Sequence, residues 1–320
     1  MNRLRVVHVT EFTYDEPVSE SYNELRLQPQ DDNSQSCISF RLQTLPTSSP
    51  ASHRDYFGNW VHRFNVLPPH RRLRVDAQSV VMLRDSPAPS DLDLSLVELD
   101  RRRAALREEH WDILVPTLYV PLGDTLAPLV HEVEAASGGT VAGYARAAAQ
   151  VVHDRFRYER GATHVHSSVE DVVGAGAGVC QDFAHLLLCL ARLRGIPARY
   201  VSGYLLARTS DGSRSEFEDV VGAQASHAWT EVYVPDGGWL SIDPTLGEPV
   251  MGNHLRIACG RDYGDVPPVR GVYRGQAGQQ MVVDVRVRPA LDANGCEHLA
   301  RTASDRRGTV PAATRGPADQ

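Results

Sequence analysis

The chain has 320 residues, a formal net charge of −7, and hydrophobic and charged fractions of 42% and 23%, values that are typical of a soluble globular protein. The negative charge argues against a nucleic-acid partner or an anionic membrane surface. The chain contains no lysine, so all 33 basic residues are arginines and no side-chain amine is present.

Targeting signals and cysteine spacing bear on the compartment. The N-terminal "MNRLRVVHVTEFTYDEP" lacks the run of about 7–15 apolar residues of a signal peptide, and no segment reaches the ~18 apolar residues of a membrane span. The cysteines are odd in number and lack the paired spacing of a disulfide framework or a zinc site; they are Cys37, Cys180, Cys189, Cys259 and Cys296. We expect a reduced, cytoplasmic protein without a membrane partner, and the sequence does not indicate its oligomeric state.

Alternating apolar and polar residues predict strands over the first part of the chain. They recur between turn-forming segments, at 3–14, 38–42, 60–66 and 73–77. We therefore predict a small all-β domain over residues 1–85. A stretch rich in Ser, Pro and Asp follows it, and we assign 86–125 to a linker with a helical segment.

Helical patterns follow in the middle of the chain. Apolar spacing predicts a helix over 140–158 with Thr140 as its N-cap, and Ser167 with Glu170 matches a capping box for a short helix. A further helix is predicted to begin at Cys180 and to end at Gly195.

Strand patterns complete the second domain. Strands are predicted at 198–207, 226–234 and 238–243, with the last two joined by the hairpin turn "PDGG". The alternating segment 281–288 is predicted to be a closing strand, so we assign 126–290 to a second, core domain. Residues 291–320 are predicted to be a disordered tail.

The glycine-rich run "GAGAGVC" places Cys180 at the first turn of its predicted helix. Unpaired backbone N–H groups and the helix dipole favour a negative charge there, so the position suits a thiolate. Cys189 falls on the opposite side of the helix and is predicted to be a small buried hydrophobe. His185 lies ~140° around the helix from Cys180, which is too far for a base, so the base must come from elsewhere.

The predicted hairpin supplies a base and a carboxylate. Alternation places His227 and Asp243 on the polar-aromatic faces of their strands, near the same end of the hairpin. Together with Cys180 they provide a nucleophile, a base and a carboxylate that orients the imidazole. Isolated residues of these types are common, however, and alternation does not give the register of the hairpin.

Nearby polar residues have simpler interpretations. Asp182 is predicted to be a partner of the helix dipole, and Gln181 an exposed residue rather than an oxyanion donor. His164 and His166 share a face if their segment is extended, but no third ligand is evident near them in the sequence. The sequence shows no acidic loop cluster typical of calcium sites. We predict no metal and no other cofactor.

Five segments resemble the bacterial transglutaminase-like family. They are "GVCQDFAHL", "SHAWTEVYVPDGGWLSIDPT" and "CGRDYGDVPPVRGVYRG", together with "TEFTYDEPVSESYNELRLQP" and "DYFGNWVHRF", which resemble the β-domain that precedes the family's core. The resemblance implies an α+β fold: a papain-like transglutaminase core, with a nucleophile helix packed on an antiparallel sheet, preceded by a small all-β domain. It also implies Cys180 as the nucleophile, His227 as the base and Asp243 as the orienting carboxylate.

The expected reaction proceeds through a thioester. The expected substrate is a protein or peptide, attacked at a glutamine side chain or a peptide bond. Water then gives hydrolysis (an amidase, protease or deamidase), which we favour, and a lysine amine gives a cross-link. A true protein-glutamine gamma-glutamyltransferase and a non-catalytic peptide- or protein-binding module are the alternatives.

Overall fold

The computed structural model describes residues 2–84, 93–206, 226–250 and 252–290. In chain order its strands are β1 (Asn2–Leu25), β2 (Gln35–Leu45), β3 (Ala51–Arg54), β4 (Trp60–Val66), β5 (His70–Leu83), β6 (Arg157–Tyr158), β7 (Ala177–Gly178), β8 (Ala198–Leu205), β9 (Ser226–Val234), β10 (Gly238–Asp243), β11 (Glu248–Pro249), β12 (His254–Gly260), β13 (Val269–Arg274) and β14 (Gln279–Pro289). Its α-helices are α1 (Leu96–Glu109), α2 (Ala127–Ala136), α3 (Val141–Arg155), α4 (Val169–Ala175) and α5 (Cys180–Leu193). The tail predicted at 291–320 lies outside the described residues.

The chain divides into two compact units, one of residues 1–84 with 268–320 and one of residues 85–267. In the described part of the first unit, the long strand β1 organises an antiparallel sheet. Its first half pairs with β5 and β14, and its second half pairs with β4 and β13. Apolar side chains on these strands, among them Val18, Leu25 and Val75, form a buried core.

The strand predicted at 281–288 is present within β14, but its assignment to the second domain is wrong. β14 pairs with β1 from Leu4 opposite Pro289 to Tyr14 opposite Gln279. Alternation in "MVVDVRVR" indicates a strand but carries no information about its partner, which lies at the other end of the chain. The chain therefore returns to the first unit after residue 267.

The second unit contains an antiparallel sheet with the described strand order β11-β10-β9-β8-β12. The hairpin strands β9 and β10 have the predicted bounds, and Asp236 and Gly238 in the turn adopt positive φ angles of 66° and 86°. Helix α5 lies between this sheet and α3. The Thr230 hydroxyl of β9 donates to Ala184 O of α5 at 3.4 Å, and the Tyr144 hydroxyl of α3 donates to Leu190 O at 3.0 Å. The helix that carries Cys180 is therefore the core of the unit.

Two helix starts test the predicted caps. The Thr140 hydroxyl caps α3 as predicted. The capping box before α4 is formed by Ser168 and Asp171, one residue later than the predicted pair Ser167 and Glu170. Both pairs satisfy the spacing of a capping box, so the sequence pattern alone does not choose between them. No helix in the described part of the chain is long and apolar enough to cross a membrane.

Candidate active site

The glycine run delivers Cys180 to the start of α5. Helix α4 ends at Gly176, whose φ of 61° is left-handed and favours glycine. Strand β7 then pairs in parallel with β6, and Cys180 follows as the first residue of α5, partly exposed, whereas the rest of the helix from Asp182 to Arg192 is buried. The nucleophile candidate thus lies at the accessible end of a buried helix.

Asp182 fixes the first turn of this helix. Its carboxylate accepts hydrogen bonds from Val179 N at 2.8 Å and from the Thr163 hydroxyl at 2.6 Å, and the residue is only 2% exposed. A Cβ atom on Gly178 would lie 2.8 Å from Asp182 Oδ2, so glycine is needed there for the carboxylate to fold over the backbone. The predicted dipole partner is therefore also a structural anchor.

His227 and Asp243 are brought together at the end of the hairpin. His227 Nε2 donates to Asp243 Oδ2 at 2.6 Å, and both side chains are completely buried. The backbone N–H of Thr245 donates to the other carboxylate oxygen, Oδ1, at 2.8 Å. Burial opposes ionisation of Asp243, but the charge and hydrogen bond of His227 and the hydrogen bond of His254 lower the pKa of Asp243. The carboxylate is therefore charged and held on both oxygens.

The second ring nitrogen of His227, Nδ1, is the one available to a reacting group. Because Nε2 is bonded to Asp243, Nδ1 is the nitrogen left for a reacting group, and it is buried without a hydrogen-bond partner among the described residues. Burial alone would lower the pKa of His227, but the Asp243 carboxylate and the Cys180 sulfur raise it to about 10. The structure thus brings Cys180, His227 and Asp243 into one electrostatic group.

His254 also contacts Asp243, and no pattern in the sequence predicts this contact. His254 Nε2 donates to Asp243 Oδ2 at 2.9 Å, and His254 Nδ1 lies 2.9 Å from Asn253 Oδ1. The ring packs against Trp229, with centroids 5.1 Å apart and an edge-to-face angle of 76°. A histidine at the start of an ordinary strand carries no sequence signal for such a contact.

The second ring on Asp243 also creates a set with metal-binding spacing. One ligand atom each from His227, Asp243 and His254 lies within 4.8 Å of the others, and no other such set occurs among the described residues. Hydrogen bonds from both rings to Oδ2 account for these short distances. His164 and His166 instead contact each other, His166 N donating to His164 Nδ1 at 3.2 Å.

His185 and Cys189 lie on α5 but have structural surroundings. His185 is buried against Tyr119 and accepts a hydrogen bond from Tyr263 N at 3.2 Å, and its burial lowers the pKa of His185 to about 3. Cys189 is fully buried, its thiol donates to Pro121 O at 3.1 Å, and burial raises the pKa of Cys189 to about 12. A neutral buried ring and an un-ionised buried thiol both agree with the interpretations made from the sequence.

Comparisons with known proteins identify the family. The family model described as the bacterial transglutaminase-like N-terminal region matches residues 4–82, and that of the transglutaminase-like superfamily matches residues 129–244. An uncharacterized protein of Mycobacterium leprae is 35% identical over 290 residues, which cover 90% of this chain and 99% of that protein. The chain belongs to the transglutaminase-like superfamily. The superfamily match includes Cys180, His227 and Asp243 but ends before His254.

This transglutaminase-like protein is also similar to a solved structure and, over a short segment, to a named enzyme. The crystal structure of a candidate cysteine protease from Cytophaga hutchinsonii has a TM-score of 0.63 at 22% identity, covering 92% of this chain and 96% of that one. A 69-residue segment is 36% identical to a protein-glutamine gamma-glutamyltransferase of Pseudomonas aeruginosa, covering 22% of this chain and 10% of that protein. The predicted family and the predicted α+β fold class, with its all-β N-terminal region, are confirmed.

Proposed function

We propose that this transglutaminase-like protein is a cysteine enzyme that forms a thioester with the acyl group of a carboxamide or a peptide bond. The observation that supports the proposal best is the orientation of His227. Its Nε2 is hydrogen-bonded to Asp243 at 2.6 Å, and its Nδ1 is buried without a hydrogen-bond partner among the described residues. The Cys180 sulfur raises the pKa of the same ring. A catalytic cysteine needs this arrangement, in which the carboxylate binds one ring nitrogen of the base and the other ring nitrogen remains for the nucleophile.

In the first half-reaction the Cys180 thiolate attacks the carbonyl carbon and the carbonyl oxygen becomes an oxyanion. The first backbone N–H groups of α5 have no intrahelical acceptors and carry the positive end of the helix dipole, so they are suited to stabilise that charge. When the C–N bond breaks, the proton on His227 Nδ1 passes to the leaving nitrogen, which departs as ammonia or an amine. Asp243 stabilises the imidazolium that precedes this transfer.

In the second half-reaction water attacks the thioester carbon and His227 Nδ1 takes its proton. The C–S bond then breaks, which releases a carboxylic acid and restores the thiolate. A primary amine in place of water gives a new amide, which is a cross-link when the amine is a lysine. We favour water as the acceptor because it needs no second binding site, and a protein or peptide as the substrate. The chain has no lysine, so it cannot supply a lysine amine to such a cross-link.

The experiment uses a glutamine-containing protein incubated with the enzyme and a labelled primary amine, followed by mass spectrometry. Cys180→Ala tests the nucleophile, and Cys189→Ala is the matched control because it removes a buried thiol from the same helix. We expect a gain of about one mass unit at glutamine, or new chain termini, with wild type and Cys189→Ala but not with Cys180→Ala.

The products separate the possible reactions. Amine incorporation that depends on Cys180 would show transamidation and replace hydrolysis as the main activity. Identical products from Cys180→Ala and wild type would overturn the proposed nucleophile. No product from a broad panel of proteins, peptides and amines would favour a binding module over an enzyme.

A further inference from the structure

Asp243 accepts hydrogen bonds from two imidazole rings on the same oxygen. His227 Nε2 lies 2.6 Å and His254 Nε2 lies 2.9 Å from Oδ2, whereas Oδ1 is occupied by Thr245 N at 2.8 Å. The side chains of His227 and Asp243 are 0% exposed and that of His254 is 2% exposed. A buried carboxylate oxygen shared by two rings must divide its charge between two donors.

The fold brings the second ring in from a distant strand. Asp243 ends β10 and His254 begins β12, and β9 and β8 lie between them. In a flat sheet this is three strand spacings, or about 14 Å, so contact at 2.9 Å requires the sheet to curl at this end. The contact is thus a feature of the whole sheet rather than a chance meeting of neighbours.

Gly203 provides the space inside that curl. On β8 it lies opposite His227 of β9 on one side and Arg256 of β12 on the other. A Cβ atom at Gly203 would lie 2.5 Å from the Trp229 ring. Because glycine has no side chain, the Trp229 ring fills this space and packs edge-on against His254, with ring centroids 5.1 Å apart. The indole thereby holds the His254 ring in place beside Asp243.

We propose that His254 is a positioning residue that shares the Asp243 carboxylate with His227 and so limits how tightly this carboxylate holds the imidazolium. The inference rests on the proposed function, because it concerns the base of the same site. An imidazolium that is held too tightly gives up its proton slowly, and the first half-reaction needs that proton for the leaving nitrogen. His254 acts through Asp243 and does not itself contact the reacting atoms.

The direction of the effect does not depend on the charge of His254. The titratable groups that act on His227 are Cys180 from α5 and Asp243 from β10. His254 from β12 acts through Asp243, and its ring also lies 5.8 Å from the His227 ring, so a charge on His254 would disfavour the imidazolium in the same direction. On β8, Gly203 is the residue paired with His227. A neutral N–H donor on Oδ2 weakens that oxygen as a partner for His227, and a cation there weakens it further. Loss of His254 therefore makes His227 more basic, whereas simple loosening of Asp243 would make it less basic.

The test is the pH dependence of Cys180 alkylation by iodoacetamide, with each cysteine followed by mass spectrometry. The variants are His254→Phe, which removes the donor, and His254→Gln, which retains an amide N–H. His62→Phe is the matched control, because His62 lies in the first unit and is a buried histidine like His254. We expect the alkaline transition of the Cys180 rate to move upward by about one pH unit in His254→Phe, and to stay near the wild-type position in the other two variants.

A transition that does not move, or moves downward, in His254→Phe would overturn the proposal. If His254→Phe does not fold, ¹⁵N-histidine NMR of the wild-type protein decides: His254 Nε2 must carry a proton throughout the titration of His227, and an unprotonated Nε2 overturns the proposal. Failure of the proposed function is seen separately, because Cys180 in the wild type would then alkylate no faster than a model thiol.

Discussion

The Thr163 hydroxyl donates a 2.6 Å hydrogen bond to the Asp182 carboxylate, and this contact joins the loop before α4 to the first turn of the helix that carries Cys180. The same carboxylate accepts the Val179 N–H at 2.8 Å. Burial raises the pKa of Asp182, and the hydrogen bonds from Thr163 and Val179 oppose that shift. The position of Cys180 therefore depends on a buried acid that takes no part in the proposed chemistry.

Replacement of Asp182 by alanine should destabilise the fold. It leaves the partly buried Val179 N–H and Thr163 hydroxyl without their buried acceptor. Loss of a hydrogen-bond partner by a buried polar group costs about 1–3 kcal/mol. Urea unfolding of Asp182→Ala measures this loss. Asp171→Ala is the matched control, because Asp171 occupies the same N3 position in α4 and accepts Ser168 N at 2.9 Å, but in an exposed site. The control should lose less, about 0.5–1 kcal/mol, and an equal loss in both variants would contradict the role of Asp182 as a buried anchor.

Local patterns in the sequence predicted the elements of the candidate site well. The hairpin strands 226–234 and 238–243 have their predicted bounds, because alternating residues flank a turn that favours positive φ. Trp239 lies opposite Tyr233 and Ser241 opposite Glu231, so the predicted polar-aromatic faces coincide. Helix α5 begins at Cys180, as the glycine run predicts. Each of these features depends on residues that are close together in the chain.

Long-range features were not predictable in the same way. The partner of β14 is β1, and the partner of Asp243 includes His254 from a strand three positions away in the sheet. Both depend on how strands are ordered and how strongly the sheet curls, and neither property is encoded in the alternation of a single strand. Gly203 was the one residue with a usable signal, because a glycine within a strand often marks a close approach of neighbouring groups.

Alkylation should distinguish the two cysteines of α5. Cys180 is partly exposed at the helix start, whereas Cys189 is fully buried and burial raises its pKa to about 12. Near neutral pH we expect iodoacetamide to modify Cys180 at least ~100-fold faster than Cys189, because the thiolate is the reacting form. His227→Ala should reduce the Cys180 rate toward that of a model thiol and leave the Cys189 rate unchanged. Similar rates at the two cysteines of the wild-type protein would contradict an activated thiol at Cys180.

The pair of His227 and Asp243 should make stability depend on pH. The pKa of His227 is raised from 6.5 to about 10 in the folded protein. The contribution of His227 to the free energy of unfolding is therefore complete below pH 6.5 and is lost as the pH rises toward 10. The pKa of Asp243 is lowered from 3.8, so its contribution is present above pH 3.8 and is lost as the pH falls through the folded-state pKa.

Asp243→Asn tests this linkage. Urea unfolding at about pH 6, 8 and 10 should show a deficit of the variant relative to wild type that is largest at the lowest of these pH values and narrows toward the highest. Asp236→Asn is a suitable control because Asp236 lies in the turn of the same hairpin and is exposed. A deficit that stays constant across the pH range would show that His227 does not gain its proton affinity from Asp243.

Gly203→Ala should disturb the fold and the candidate site together. The new Cβ would overlap the Leu255 carbonyl and lie 2.5 Å from the Trp229 ring, and the carbonyl belongs to a paired strand that cannot easily retreat. Overpacking of this kind costs about 1–3 kcal/mol, and displacement of Trp229 would also move the His254 ring that packs on it.

Gly174→Ala in α4 is the matched control, because no atom lies within 4 Å of its added Cβ, and alanine in a helix is favoured over glycine by about 0.5–1 kcal/mol. Thermal unfolding should therefore shift down for Gly203→Ala and slightly up for Gly174→Ala, with slower Cys180 alkylation only in the former. A Gly203→Ala protein with wild-type stability and a wild-type Cys180 rate would show that the close approach of β8, Trp229 and β12 is not needed to build the site.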